Sequence, residues 1–419
     1  MTKRYVRCII YLTLICCLFA QHAQAQYHFG SLTYDKGLSN STVLSICRDN
    51  AGFLWIGTRD GLNRYDGNRI KQYRSDNSDV NTISTNNYIY TIVEHPRQKT
   101  LWIGTQQGLN IYQPKQDRFQ RINFEHVKSK NSNHFAVLVI YFIESSVLLG
   151  TNNGLMCIKN ADNPEIENVN ILSGLEIYSL LPQGRNILIG TNRGLYLWRD
   201  QKKIEPIKLS HTNSSAISVK DIKRVATDKI WIATDGHGLF ELDILFQQTA
   251  HYTGKTGLSS DYVRAIAIDK AKNIWVGTME GANLLQPDGS QIQQIKSSAN
   301  NPFSINDNSI KTIYIDRQGI VWMGTNFGGI NYHHPSVYPF KVDLADGNFK
   351  HLSGNLVSAI AVDDDENTWV GTERDGLNVR KKGSDVYQKI ELRSNTVKCL
   401  LTDDKYIYVG TFGAGLARI

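Results

Sequence analysis

Short apolar runs alternate with turn residues along almost the whole chain. Val43 to Cys47 is rich in β-formers, and Asp49-Asn50-Ala51-Gly52 makes a turn. Phe53 to Thr58 reads as a second strand, Arg59-Asp60-Gly61 as a turn and Leu62 to Tyr65 as a third strand. Asp66-Gly67-Asn68 turns again before a fourth strand, Arg69 to Tyr73. The unit then recurs. Its centre is Trp-apolar-Gly-Thr, with the Gly-Thr pair at Gly57, Gly104, Gly150, Gly190, Gly277, Gly324, Gly371 and Gly410, and Ala233-Thr234 in the fifth unit. The spacing is about 44 residues, and four short antiparallel strands at that period predict an all-β chain of propeller blades.

The count of units divides the chain. Seven lie in residues 26–335, which predicts a seven-bladed β-propeller, ending with Phe327-Gly328-Gly329-Ile330-Asn331-Tyr332. Residues 336–352 read as a linker and closing strand. Residues 353–419 read as the first two blades of a second propeller, incomplete because two blades cannot close a ring. Tyr27 to Tyr34 has no blade of its own and is expected to supply the missing outer strand of blade seven, with Phe340-Lys341-Val342 in the same role for the second ring.

Trp55, Trp102, Trp231, Trp275, Trp322 and Trp369 share one register, two residues before the Gly. Six aromatics at one register are expected to fill the space between blades rather than to bind sugar. Each would remove about 150–250 Å² from water, roughly 4–6 kcal/mol as an upper bound. The Gly-Thr pair and the following Gly are read as close backbone approach and a tight turn with positive φ.

Residues 1–25 break the pattern. Lys3, Arg4 and Arg7 precede an apolar run from Cys8 to Ala20 and the small-x-small sequence Ala23-Gln24-Ala25, which reads as a cleaved secretory signal. The run is too short to span a bilayer, and Thr13-Leu14-Ile15 before Cys16 lacks the small residues of lipoprotein processing. The formal charge of +7 falls when the three basic residues of this segment are removed, and no Lys/Arg block remains. Nucleic-acid binding therefore has no footprint. Cys47, Cys157 and Cys399 are an odd, widely spaced set, each expected to be a small buried hydrophobe rather than part of a disulfide framework.

The pattern resembles the two-component regulator propeller repeat, and more closely the N-terminal sensor region of hybrid two-component system proteins. Leu38-Ser39-Asn40-Ser41-Thr42-Val43 and the run from Gly52 to Gly67 are similar to that family's first blade, and the junction Phe327 to Tyr332 to its passage between propellers. The resemblance implies a periplasmic region of two seven-bladed propellers and a β-sandwich. A membrane helix would follow, then kinase, receiver and DNA-binding parts, so that the parent protein resides in the inner membrane. It also implies an oligosaccharide or other small periplasmic ligand, commonly a glycan fragment, homodimers of the parent, and attachment to the membrane only through C-terminal parts absent from this sequence. The phosphoacceptor His, the nucleotide-binding motifs and the receiver Asp have no counterpart here, so no catalytic residue, cofactor or metal is expected.

Candidate ligand residues are those of the turns after Gly-Thr, which vary while the surrounding pattern holds. Arg59, Asp60, Arg193, Asp235, His237, Arg374 and Asp375 lead this set, with Gln106, Asn152 and Glu280; on one shared face they would suit an oligosaccharide. The plain alternative is a set of solvated turns, and in a two-propeller sensor the cleft between rings is an equally good place for the ligand. His333-His334 reads as linker, since neighbours in a strand point to opposite faces. Asp363-Asp364-Asp365-Glu366 lacks calcium-loop spacing and reads as a hairpin turn. Asp49 to Trp55 and Asp316 to Trp322 approach the Asp-box turn of sialidases, but the Asp lies three rather than two residues before Gly. A propeller glycosidase or polysaccharide lyase, and a free-standing scaffold propeller, are the alternative readings.

Overall fold

The computed structural model describes residues 27–122, 124, 135–144, 146–160, 164, 166–209, 217–287, 289–299, 301–335, 343, 345 and 351–419. The signal reading of residues 1–25 and the Phe340-Lys341-Val342 closing strand lie outside the described residues. The fold is all-β, with two 3₁₀ turns as its only helical pieces among those residues. Blade one is the antiparallel sheet Val43–Arg48, Leu54–Thr58, Leu62–Tyr65 and Ile70–Tyr73. Five further sheets of the same order follow. Blade seven is built from Ile310–Ile315, Val321–Thr325 and Ile330–His333, with Gly30–Leu32 as its outer strand. That strand pairs Gly30 with Tyr332 and Leu32 with Ile330, so the chain's start closes the ring. A four-stranded and a three-stranded sheet follow, beginning at Val357 and Val397.

The close approach of blades requires a residue without a side chain. A Cβ on Gly57 would stand 2.7 Å from the Ile89 carbonyl oxygen on the first strand of blade two. One on Gly324 would stand 2.7 Å from Val43 Cγ1, where blade seven meets blade one. The partner Thr does the complementary job. Thr58 Oγ1 donates to the Gly61 carbonyl at 2.9 Å and accepts from Asp60 N at 3.1 Å, closing the turn in which Gly61 takes φ +105°. The Thr-to-turn-carbonyl bond recurs in all nine blades.

The tryptophans lie between blades. Trp55 packs with Tyr73 of its own blade and with Tyr112 and Phe119 of blade two. Trp102 meets Val137 and Leu149, Trp231 meets Ile266 and Val276, and Trp275 meets Ile310 and Met323. Trp322 meets Ile46 and Ile56 of blade one, and Trp369 meets Val397 and Val409. Four of the six indoles are also anchored by the Asp that opens the preceding turn. Asp316 is 4% exposed; its carboxylate accepts from Trp322 Nε1 at 3.1 Å and from Ile320 N at 3.0 Å. Asp49, Asp269 and Asp363 hold Trp55, Trp275 and Trp369 in the same way. Trp102 and Trp231 follow turns without such an Asp, and their Nε1 atoms are buried without a partner among the described residues.

The cysteine expectation needs correction. None of the three is in a disulfide, but only Cys47 is buried; Cys157 is half-buried and Cys399 exposed. Cys399 sits on Val397–Thr402, whose outward positions have no further sheet against them among the described residues. Burial pushes the Cys47 thiol up to about 12, against a weaker opposing hydrogen bond at Glu94. Since the thiolate is the reactive form, iodoacetamide at pH 8 should label Cys399 first and Cys47 only on unfolding, as read by peptide mass mapping. Replacing Gly324 with Val should cost about 1–3 kcal/mol by overpacking the seam between blades seven and one, measured as a lower urea midpoint.

Candidate functional site

The turns after Gly-Thr are stitched to the start of their own blade's inner strand. Arg59 N donates to the Thr42 carbonyl at 2.9 Å, Asp235 N to Ser218 O at 2.9 Å, and Asn326 N to Ser309 O at 2.9 Å. The turn glycine then reaches the next blade. Gly61 N donates to Asn86 O at 2.7 Å, and Gly329 N donates to Ser41 O at 2.9 Å across the closing seam. These bonds bring the ring's turns and the entries to its inner strands onto one face.

The entry loops are held by a buried amide that the sequence reading missed. Ser39 N donates to Asn63 Oδ1 at 2.9 Å, while Asn63 Nδ2 donates back to Ser39 Oγ at 2.8 Å. Ser84 with Asn110, Ser259 with Asn283 and Ser353 with Asn378 repeat the exchange, as does Asn306 with Asn331. The signal was an Asn two residues after the turn Gly, with a Ser or Asn 24–26 residues earlier.

One cleft on this face, of about 810 Å³, gathers Arg59, Asp60 and Gln106. Tyr34, Asn40, Asn87, Tyr88 and Phe327 also line it, so blades seven, one and two all contribute. The Arg59 guanidinium lies 5.4 Å from the Tyr88 ring centroid, and Tyr88 stacks on Tyr90 at 5.7 Å. Tyr88 takes φ +47°, an unusual conformation for a bulky residue, and its N–H donates to the Arg59 carbonyl at 3.0 Å. Asp60 forms an exposed ion pair with Arg74 at 3.1 Å. Phe327 is 75% and Tyr34 66% exposed, leaving two aromatic faces to solvent beside amide groups.

The other candidates are placed elsewhere. Asp235 and His237 occupy the turn of blade five, with Asp235 3.4 Å from Lys220 Nζ. The His237 carbonyl accepts from His251 Nε2 at 2.7 Å, while His237 Nδ1 is buried without a partner among the described residues. Arg193 is exposed on the turn of blade four. Arg374 and Asp375 belong to the sheet that begins at Val357, where Asp375 N donates to Thr372 Oγ1 at 3.1 Å.

His333 takes part in closure: its Nδ1 lies 3.1 Å from the His28 carbonyl and its ring 5.0 Å from that of Tyr27. Burial lowers its pKa. Asp363 spends its carboxylate on Trp369 Nε1, Asn367 N and Asn367 Nδ2; burial pushes its pKa up, but these hydrogen bonds outweigh that and lower it. Among the described residues no three His, Cys, Asp or Glu side chains cluster as a metal site.

Four-stranded antiparallel blades closed by an N-terminal strand make this a β-propeller. The chain carries repeats of the two-component regulator propeller family, whose model matches residues 37–60, 257–280 and 304–327, the opening halves of blades one, six and seven. A 76-residue stretch, 18% of this chain and 5% of the relative, is 43% identical to Histidine kinase P4 of Formosa agariphila. Over 94% of its length the chain is similar to the extracellular domain of a B. thetaiotaomicron protein described as a hybrid two-component system, with a TM-score of 0.74 and 26% identity. It covers 53% of that domain, so the chain spans about half the length of this structural relative. A streptogramin B lyase is similar in fold alone, at 15% identity and a TM-score of 0.54, covering 73% of this chain and 97% of its own.

Replacing Asn63 with Leu would strand the Ser39 N–H in the interior. The expected loss is about 1–3 kcal/mol of stability, read from the urea midpoint.

Proposed function

We propose that this chain is the periplasmic, ligand-sensing part of a hybrid two-component signal-transduction protein, and that its ligand is a glycan fragment. The similarity to one such extracellular domain over 94% of the chain carries this reading. The face cleft supports it: exposed aromatic rings offer stacking surface, and Asn40, Asn87, Gln106 and Arg59 offer directional hydrogen bonds, the pairing a sugar ring needs. On this reading residues 1–25 are a cleaved signal, residues 26–335 are the first propeller, and residues 336–352 link it to a second propeller that opens at 353. The parent protein sits in the inner membrane and works as a homodimer.

The role is binding without chemistry. A ligand biases signalling only by favouring one arrangement of the sensor over another, so its differential affinity sets the size of the response. The readout is then a changed spacing or angle within the dimer, passed to the membrane segment.

Phe327 offers a clean test because it is mostly exposed. Phe327→Ala should leave the urea midpoint within about 0.5 kcal/mol of the parent. It should weaken binding of whichever oligosaccharide a calorimetric screen identifies by about tenfold, or about 1.4 kcal/mol. Unchanged affinity would remove the cleft from the reading, and turnover of the bound oligosaccharide would replace the sensor with an enzyme.

A further inference from the structure

Every inner strand of the ring slips register between its first and third residues, and that of blade five slips a second time between Arg224 and Ala226. The extra residue at the shared slip is Leu44, Tyr90, Leu138, Tyr178, Lys220, Arg264 or Lys311. A β-bulge frees its extra residue from the pleat and re-aims the side chain. All seven are half-buried, and the shared slips fall beside the turns of the ligand-bearing face. Taken around the ring their chemistry is split: apolar or aromatic in blades one to four, cationic in blades five to seven.

The cationic arc is not neutralised from within. Asp235 pairs with Lys220 at 3.4 Å, and Lys220 Nζ also lies 4.0 Å over the Tyr178 ring. Arg264 donates to Ser309 Oγ at 3.0 Å. Among the described residues neither Arg264 nor Lys311 has a carboxylate within 4.0 Å. Three neighbouring acids are engaged: Asp307 accepts from Ser309 N at 3.1 Å and from Phe327 N at 2.7 Å, Asp221 accepts from Ile266 N at 2.9 Å and pairs with Lys223 at 3.2 Å, and Glu176 accepts from the Tyr178 hydroxyl. Burial disfavours the charged form of Arg264, with Asp235 and Asp307 pulling the other way. Burial does the same to Lys311; repulsion from Arg264 adds to it, and Asp235 opposes it. Half-burying three coupled cations against two carboxylates, Asp235 ion-paired with Lys220 and Asp307 bonded to backbone amides, leaves a positive excess at a standing cost, which an oxyanion delivered to the arc would offset.

We propose that Lys220, Arg264 and Lys311 receive an anionic group of the ligand, a carboxylate or a sulfate ester on a sugar, and that Tyr178 continues the site as a surface for the sugar ring. This rests on the glycan-sensing reading and narrows it to acidic glycans.

The test is calorimetry on the whole chain with four probes: tetragalacturonate, its carboxyl-reduced form, a sulfated galactan tetrasaccharide and its desulfated form. The expected result is binding of one acidic probe at least tenfold tighter than its neutral counterpart, and the binding member tells carboxylate from sulfate. Lys311→Gln and the pair Arg264→Gln/Lys311→Gln should each cost that probe about tenfold or more and flatten its salt dependence. Their urea midpoints should be unchanged or raised, because an unpaired half-buried charge has been removed. Equal binding of acidic and neutral forms, or variants that bind as the parent does, would overturn the anion site and leave the sensor reading standing. Binding of no probe would overturn the anion site together with the glycan-sensing reading on which it rests.

Discussion

The structure depends on how closely one blade's second strand approaches the next blade's first. At Gly57 and Gly324 the neighbour occupies the space a methyl group would need, and the same contact recurs around the ring. Such proximity places each Trp within reach of two sheets and lets the turn glycine bond to the next blade's entry loop. Gly and Thr are thus adjacent for separate reasons, one to admit the neighbour and the other to fix the turn that reaches it. Blade five keeps the arrangement with Ala233, which is fully buried, so the seam tolerates one methyl group where its neighbour leaves room.

Repetition fixes the scaffold while leaving two sets of positions free to differ. The Asp that anchors Trp322 has no equivalent before Trp102, where the His95 ring instead receives the Arg97 and Gln98 N–H groups. Blades can therefore exchange one polar turn for another without losing the packing of the indole. On the face that carries the turns after Gly-Thr the variation is larger: Arg59-Asp60, Gln106, Asn152, Arg193 and Asp235 stand at equivalent turns of successive blades.

Much of this was legible in the sequence because it repeats. The Trp register is filled by Trp in six units and the Gly-Thr pair stands in eight of nine, and strand limits in blade one agree with the structure to within a residue. The Asn63 clamp was not legible, since an Asn near a turn looks solvated until its partner 24 residues away is known. Bulges leave no mark on composition, so Lys220, Arg264 and Lys311 read as ordinary strand residues. Cys399 was misjudged because an apolar run shows which residues could be covered, and not which sheet covers them. Of the turn residues chosen from sequence, Arg59 and Asp60 share a cleft with Gln106, whereas Arg374 belongs to another sheet.

Closure by Gly30–Leu32 has a consequence in time. Gly30 pairs with Tyr332, so the strand made first must wait for one of the last parts of the ring. At ~5–20 residues per second of synthesis, the roughly 300 intervening residues amount to about 15–60 s. Throughout that interval one blade face stands uncovered at each end of the growing arc, and the early segment must stay unpaired without joining a wrong partner. Its brevity, three residues in the strand, limits what else it can hold in the meantime.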